Sequence, residues 1–323
     1  MPLATILTTA EFLLSDLAHL AIVSIVAILS FSLGFAAHCW RWQDYIRPYV
    51  LYLARRTGGC SLSASRTYRS GFARLIETEI NLRKRSRLLK TTGDGVEIWA
   101  TPRGFYWVPG IRSFFYTLAE QEMKIYGSGR FRVRPGDIVL DCGANVGVFT
   151  REALSAGAKV VVAVEPVPRK VECLKRTYEP EIRAGRVMII GKGVWHEEGV
   201  LEMSIFKNSV HDSFVLKNRD PDSLGTAQLP VTTIDNLVCE LNLSRVDFIK
   251  MDLEGADRNA LQGAQSTLAK YRPRLSIATE DLPDDYLVVP PIVRQAWPGY
   301  RCVGGPCHLE SRFQIVPDVL YLY

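Results

Sequence analysis

Asp137-Ile138-Val139-Leu140-Asp141-Cys142-Gly143-Ala144-Asn145-Val146-Gly147 is an apolar run that ends on an acid and passes into a glycine-containing turn. A short apolar run bounded by turn residues reads as a buried strand, and the turn then opens a helix near Val148–Ala156. The stretch Lys159-Val160-Val161-Val162-Ala163-Val164 repeats the pattern before Glu165, with a helix expected near Arg169–Tyr178. Val187-Met188-Ile189-Ile190, Val246-Asp247-Phe248-Ile249-Lys250-Met251 and Arg274-Leu275-Ser276-Ile277-Ala278 continue the series, and Val319-Leu320-Tyr321-Leu322-Tyr323 closes it. A further helix is expected near Asp257–Tyr271. Nearly continuous apolar strands alternating with helical stretches predict an α/β fold with a doubly wound, mostly parallel sheet.

Ligands of such sheets bind beyond the carboxyl ends of the strands, which singles out Asp141, Gly143, Ala144, Asn145 and Gly147. Free amides at a helix N-terminus receive a carboxylate or a phosphate, so the turn alone leaves the cofactor open. A dinucleotide fingerprint needs glycines at its first, third and sixth places. Counting from Gly143, those later places hold Asn145 and Val148, which weakens a pyrophosphate reading. Asp141 at the strand end suits an ammonium group better than a diphosphate. Glu165 closes the second strand, where a carboxylate accepts hydrogen bonds from both hydroxyls of a ribose, a group present in S-adenosylmethionine and in NAD alike.

Four motifs in order then become specific: Asp141-Cys142-Gly143-Ala144-Asn145-Val146-Gly147, Val164-Glu165-Pro166, Thr232-Thr233-Ile234-Asp235, and Val246-Asp247-Phe248-Ile249-Lys250-Met251-Asp252-Leu253-Glu254-Gly255-Ala256. Leu261, Gly263-Ala264 and Arg272-Pro273 follow in register. From roughly Gly95 to Tyr323 the chain resembles the FkbM-type methyltransferases. The resemblance implies a Rossmann-like class I methyltransferase sheet of seven strands, the last antiparallel. It also implies S-adenosylmethionine as cofactor, with Pro166 beside Glu165 in its site, and methyl transfer commonly to a hydroxyl oxygen. Two departures stand out. Trp195-His196-Glu197 occupies the stretch near the adenine where the family often has Asp, and Ile277-Ala278-Thr279-Glu280-Asp281 is acidic where it often shows a histidine.

A sulfonium methyl is already activated, so the protein mainly aligns an oxygen with it and supplies a base for the departing proton. Asp252, Glu254 and His196 are the catalytic candidates, with His211 in a polar loop a weaker one. Asp252 and Glu254 alternate at a strand end, so one is expected to face the cleft while the other points elsewhere. Glu254 is equally explained as an acid placed against a helix macrodipole. Cys302, Cys307 and His308 lack a second ligand pair at zinc-site spacing, so no metal site is expected.

The N-terminus differs in character. Leu17 to Cys39 carries no Asp, Glu, Lys or Arg, and its length meets the ~20 residues that cross a bilayer. A transmembrane anchor over residues 1–40 is expected, because the residues ahead of the run lack the positive charges of a signal peptide. Residues 41–90 form a basic flank including Arg47, Arg55, Arg56, Arg66, Arg69, Arg74, Arg83 and Lys84, the main source of the net charge of +5. Such a flank suits anionic lipid headgroups and, by the positive-inside rule, places the larger C-terminal part of the chain in the cytoplasm. Within it a break at residues 58–65 precedes a basic helix over about Thr67–Leu89. No nucleic-acid module accompanies the charge. Residues 91–130, with short strands near Val96–Ala100 and Phe105–Val108, form a small cap, and 131–323 the methyltransferase-like domain. The seven cysteines are scattered, odd in number and without a CxxC pair, which favours a reducing compartment.

The expected function is therefore a membrane-anchored, S-adenosylmethionine-dependent methyltransferase acting on a hydroxyl of a glycan, a lipid-linked sugar or another small molecule. The alternatives are an NAD-dependent oxidoreductase on a similar sheet and a non-catalytic membrane scaffold. Composition excludes wholesale disorder and a multi-span membrane protein, with 47% hydrophobic and 23% charged residues.

Overall fold

In the computed structural model, which describes residues 24, 25, 28, 46–111, 113–206, 212–215, 223–311 and 314–323, the first strands are Arg87–Thr91 (β1), Glu97–Thr101 (β2) and Gly104–Val108 (β3). They make an antiparallel meander. The main sheet begins with Ile138–Cys142 (β4), Val160–Val164 (β5) and Val187–Ile190 (β6). Gly193–Val194 (β7), Gly199–Phe206 (β8) and Ser223–Thr232 (β9) form a separate small sheet before Phe248–Met251 (β10), Arg274–Ala278 (β11) and Cys302–Gly304 (β12). A hairpin of Cys307–Ser311 (β13) and Gln314–Pro317 (β14) leads into the last strand, Val319–Leu322 (β15).

The seven-stranded sheet runs β12-β15-β11-β10-β4-β5-β6, with β15 antiparallel to both its neighbours and the remaining pairs parallel. The expected α/β sheet with its antiparallel last strand is thus present. The chain winds outward from β4 through β5 to β6, then returns to β10 on the other side of β4. That reversal opens a crevice at the carboxyl ends of β4, β5 and β10, where α/β sheets bind ligands.

Alternation along each strand divides the core. Leu140, Val162, Ile249 and Ile277 face the layer of helices Ile234–Glu240, Asp257–Gln262, Gln265–Tyr271 and Asp285–Ala296. Val139, Val161 and Phe248 face the opposite side with Phe149 and Tyr126. Each fully buried aliphatic side chain of this kind stabilises the fold by about 1.5–3 kcal/mol before entropy is counted.

Several boundaries differ from expectation for identifiable reasons. The basic helix is Leu62–Lys84, because Ser61 caps it, its side chain accepting the N–H of Ala64 at 3.1 Å. Leu88 and Leu89 belong to β1, which pairs with β2 and crosses the expected boundary at residue 91. The helix expected over Asp257–Tyr271 is two, broken at Gly263, where a Cβ would overlap the carbonyl oxygen of Trp195. Asp285–Ala296 is helical although Pro290 and Pro291 lie inside it.

The long helix is not a loose linker. It packs on helix Phe114–Glu122 and on β13, and its Leu75 and Leu82 join Tyr106, Phe114, Phe115 and Leu118 in one apolar cluster. Cys60 and Cys307 form a disulfide across 247 residues, Cα atoms 6.6 Å apart, among Leu51, Tyr68 and Ile315. Disulfides persist in oxidising surroundings, so this pairing runs against the reducing compartment that the cysteine spacing suggested. The apolar run Leu17–Cys39 lies outside the described residues except for Ser24, Ile25 and Ile28. Among the described residues, no helix is long and apolar enough to cross a membrane.

Candidate active site

Lys250 and Asp141 are register partners on β10 and β4. The Lys250 ammonium donates to the Gly143 carbonyl at 2.9 Å and lies 3.7 Å from Asp141 and 3.4 Å from Asp252. Burial works against its charge, but Asp252 and Asp141 hold its pKa above the ordinary lysine value. Asp141 also accepts from the Thr150 hydroxyl at 2.6 Å and is fully buried. It does not reach the cavity, a correction to its expected contact with a cofactor ammonium: Lys250 already occupies that place, and Asp141 braces the turn from behind. Gly143 has φ 76°, and a Cβ there would overlap the Asp252 carbonyl oxygen, so glycine is required twice over. Gly147, with φ 87°, is likewise set back. The Tyr178 hydroxyl donates to its carbonyl, and Tyr178 and Leu174 fill the space a side chain would need.

Beyond the turn lies a cavity of about 1310 Å³, larger than the usual ~300–1,000 Å³ of a small-molecule site and so able to hold two ligands. Gly143, Ala144, Asn145, Glu165 and Pro166 line one end. Glu165 accepts the backbone N–H of Asn145 and of Val167, each at 2.9 Å. Burial raises its pKa, opposed by the charge of Lys170, which pairs with Asp212 at 2.6 Å. Val194, Met203 and Phe214 add an apolar wall, and they, rather than Trp195 or His196, follow the third strand into the cavity. A fixed carboxylate beside an apolar slot and a glycine turn matches the ribose, base and amino-acid parts of an adenosyl cofactor.

The other end is acidic. Asp252 and Glu254 both line it, contrary to the expectation that one would turn away. The strand stops at Met251, and the left-handed φ of 52° at Glu254 swings the chain so that both residues border the cavity. The acid at the following helix end is Asp257, fully buried and accepting the N–H of Leu253 at 3.3 Å, which removes the macrodipole explanation for Glu254. Glu280 and Asp281 enter from the end of β11, and Asp318 and His308 from the β13–β15 side. Asp281 accepts the Gly255 N–H at 3.0 Å. Glu280 opens onto the cavity, yet protein crowds it. Burial, with Asp318, Asp252 and Glu254 nearby, pushes its pKa up to about 7. The hydrogen bond to Asp318 leads the rise of His308 to about 9. Across the cavity stand Tyr116, Glu120 and Tyr126.

His196 is not in this site. It sits half-exposed, 3.4 Å from the Asn259 amide nitrogen and 3.6 Å from Glu197, because the loop after β7 carries it to the outer surface. His211 lies outside the described residues. Sequence reasoning missed Glu120, Glu280, Asp318 and His308 as site residues. The acidic Thr279-Glu280-Asp281 after an apolar strand was the one available signal. Among the described residues, no group of three or more His, Cys, Asp or Glu is placed to hold a metal ion.

The strand order, the glycine turn and the acid at the end of β5 together make an α/β, methyltransferase-like fold around a mixed sheet. Residues 141–293 match the methyltransferase FkbM domain, a similarity that supports S-adenosylmethionine as the cofactor. The chain is 27% identical over 161 residues to the 31-O-demethyl-FK506 methyltransferase FkbM of Streptomyces tacrolimicus, a match covering 41% of this chain and 61% of that protein's length. The crystal structure of methyltransferase FkbM from Methylobacillus flagellatus superposes with a TM-score of 0.46 at 18% identity, covering 80% of this chain and 62% of that one. The chain thus spans about three fifths of the length of each of these two relatives. A putative RNA methyltransferase from Pyrococcus horikoshii gives 0.35 at 16% identity, covering 77% and 96%.

Proposed function

We propose that this protein is an S-adenosylmethionine-dependent O-methyltransferase acting on a hydroxyl of a glycan, a lipid-linked sugar or a related small molecule. One observation carries the reading: a single cavity joins the ribose-type carboxylate Glu165 to the carboxylates Asp252 and Glu280. Glu165 would hold the ribose, Gly143 to Asn145 the amino-acid part, and Val194, Met203 and Phe214 the base. The cofactor supplies a methyl group already activated on a sulfonium. An acceptor hydroxyl at the acidic end becomes more acidic as its oxygen attacks, and Glu280, with a pKa near neutrality, takes that proton. Asp252, held beside Lys250 at 3.4 Å, orients the acceptor.

The apolar run Leu17–Cys39 and the arginines that follow it support tethering to a membrane. The tether brings the cavity close to amphipathic acceptors. Calorimetry with S-adenosylmethionine and with NAD tests the cofactor assignment. Binding of the first alone supports the proposal, whereas binding of NAD alone favours the oxidoreductase reading.

A further inference from the structure

Glu120 stands out among the acids of the cavity. It is 7% exposed, lines the cavity, and its carboxylate has no hydrogen-bond or ion-pair partner among the described residues. Buried carboxylates are ordinarily paired. Burial, followed by the charges of Asp252 and Glu280, raises its pKa well above the ordinary value, so these groups repel one another across the same space. Among the described residues, the cations that line the cavity have other partners: Lys124 lies 3.9 Å from Glu152, Lys170 pairs with Asp212, Lys192 lies near Glu198 and Glu240, and Arg74 donates to the Ser70 carbonyl. Lys250 is held by Gly143, Asp141 and Asp252, and His308 by Asp318 and Glu310. Tyr116 precedes Glu120 by one helical turn and lines the same cavity, placing an aromatic ring beside the unpaired acid.

Resting on the methyltransferase reading, we infer that the acceptor carries an ammonium group near its reacting hydroxyl, and that Glu120 binds that ammonium. A neutral hydroxyl solvates one carboxylate but leaves the mutual repulsion in place. A cation relieves it, and an organic ammonium also gains from the Tyr116 ring. A metal ion is disfavoured because no set of ligating side chains converges among the described residues. The chemical class is an amino alcohol, such as an amino sugar with a vicinal hydroxyl.

The test is calorimetry on the full chain with S-adenosylhomocysteine bound, titrating octyl glucosaminide or octyl glucoside below micelle-forming concentrations. The inference predicts at least tenfold tighter binding of the glucosaminide, and loss of that preference in Glu120→Gln, whose melting transition should match the parent's. Equal binding of the two glycosides, no binding of either, or a preference that survives in Glu120→Gln overturns it. Magnesium or calcium binding that disappears in Glu120→Gln overturns it in favour of a metal site. Failure of S-adenosylhomocysteine itself to bind would instead sink the methyltransferase reading, and this inference with it.

Discussion

The carboxylate of Glu165 accepts the backbone N–H of Asn145 at 2.9 Å, tying the end of β5 to the glycine turn after β4. The same side chain therefore shapes the turn and faces the cavity. Replacing it by Gln keeps its size but removes its charge. Glu165→Gln should weaken S-adenosylmethionine binding by about 1.5–3 kcal/mol, roughly 10- to 150-fold. Calorimetry reads this directly, and an unchanged affinity would remove Glu165 from the ribose site.

Glu280 sets the expected pH dependence. Its pKa is raised to about 7, mainly by burial, and a base acts only when ionised. Methyl transfer should therefore rise as pH climbs through about 7 and level off above it. Glu280→Gln should lower the plateau by about 10²–10⁴-fold, the usual worth of a general base, and abolish that limb. A variant with the parental pH profile would assign the proton to another group.

Gly143 tests the geometry of the turn. Its positive φ and the Asp252 carbonyl leave no room for a Cβ. Gly143→Ala should cost roughly 1–3 kcal/mol of stability, read from urea unfolding, and should weaken the cofactor as well. Parental stability and affinity would mean that the β4 and β10 loops are not so closely apposed.

The disulfide can be counted. Chain denatured without reductant should titrate as at least two thiols fewer than its seven cysteines, because Cys60 and Cys307 are joined. Cys60→Ser should lower stability by about 2–4 kcal/mol under oxidising conditions, and reductant should erase the difference. Seven reactive thiols in the denatured, unreduced chain would show that the pair does not form.

Much of the sheet was legible because β4, β5, β6 and β11 are short apolar runs with turn residues at their ends. That Gly143, Glu165 and Pro166 border the cavity was legible for the same reason, since they sit just after strands. What stayed hidden depends on contacts distant in sequence. Asp141 reads as a strand-end acid suited to a ligand's ammonium until Lys250 is seen against it from the neighbouring strand. His196 looks catalytic until the loop after β7 carries it outward. Glu120 sits on a helix whose pattern only announces packing, and its isolation appears once β10 and β11 bring Asp252 and Glu280 opposite. Helix Asp285–Ala296 was obscured by Pro290 and Pro291, which argue locally against a helix that tertiary packing nevertheless stabilises.

Whether one cavity holds S-adenosylmethionine beside an acceptor hydroxyl is decided by transfer of label from S-adenosyl-[methyl-³H]methionine. The full chain would be incubated with fractionated cell extract and with amino-alcohol glycosides, in parallel with Glu165→Gln and Glu280→Gln. Tritium should appear in an alkali-stable ether of the acceptor, strongly reduced in both variants. Cofactor binding without any transfer, or transfer that both variants retain in full, would contradict a shared cavity in which Glu165 holds the cofactor and Glu280 takes the proton.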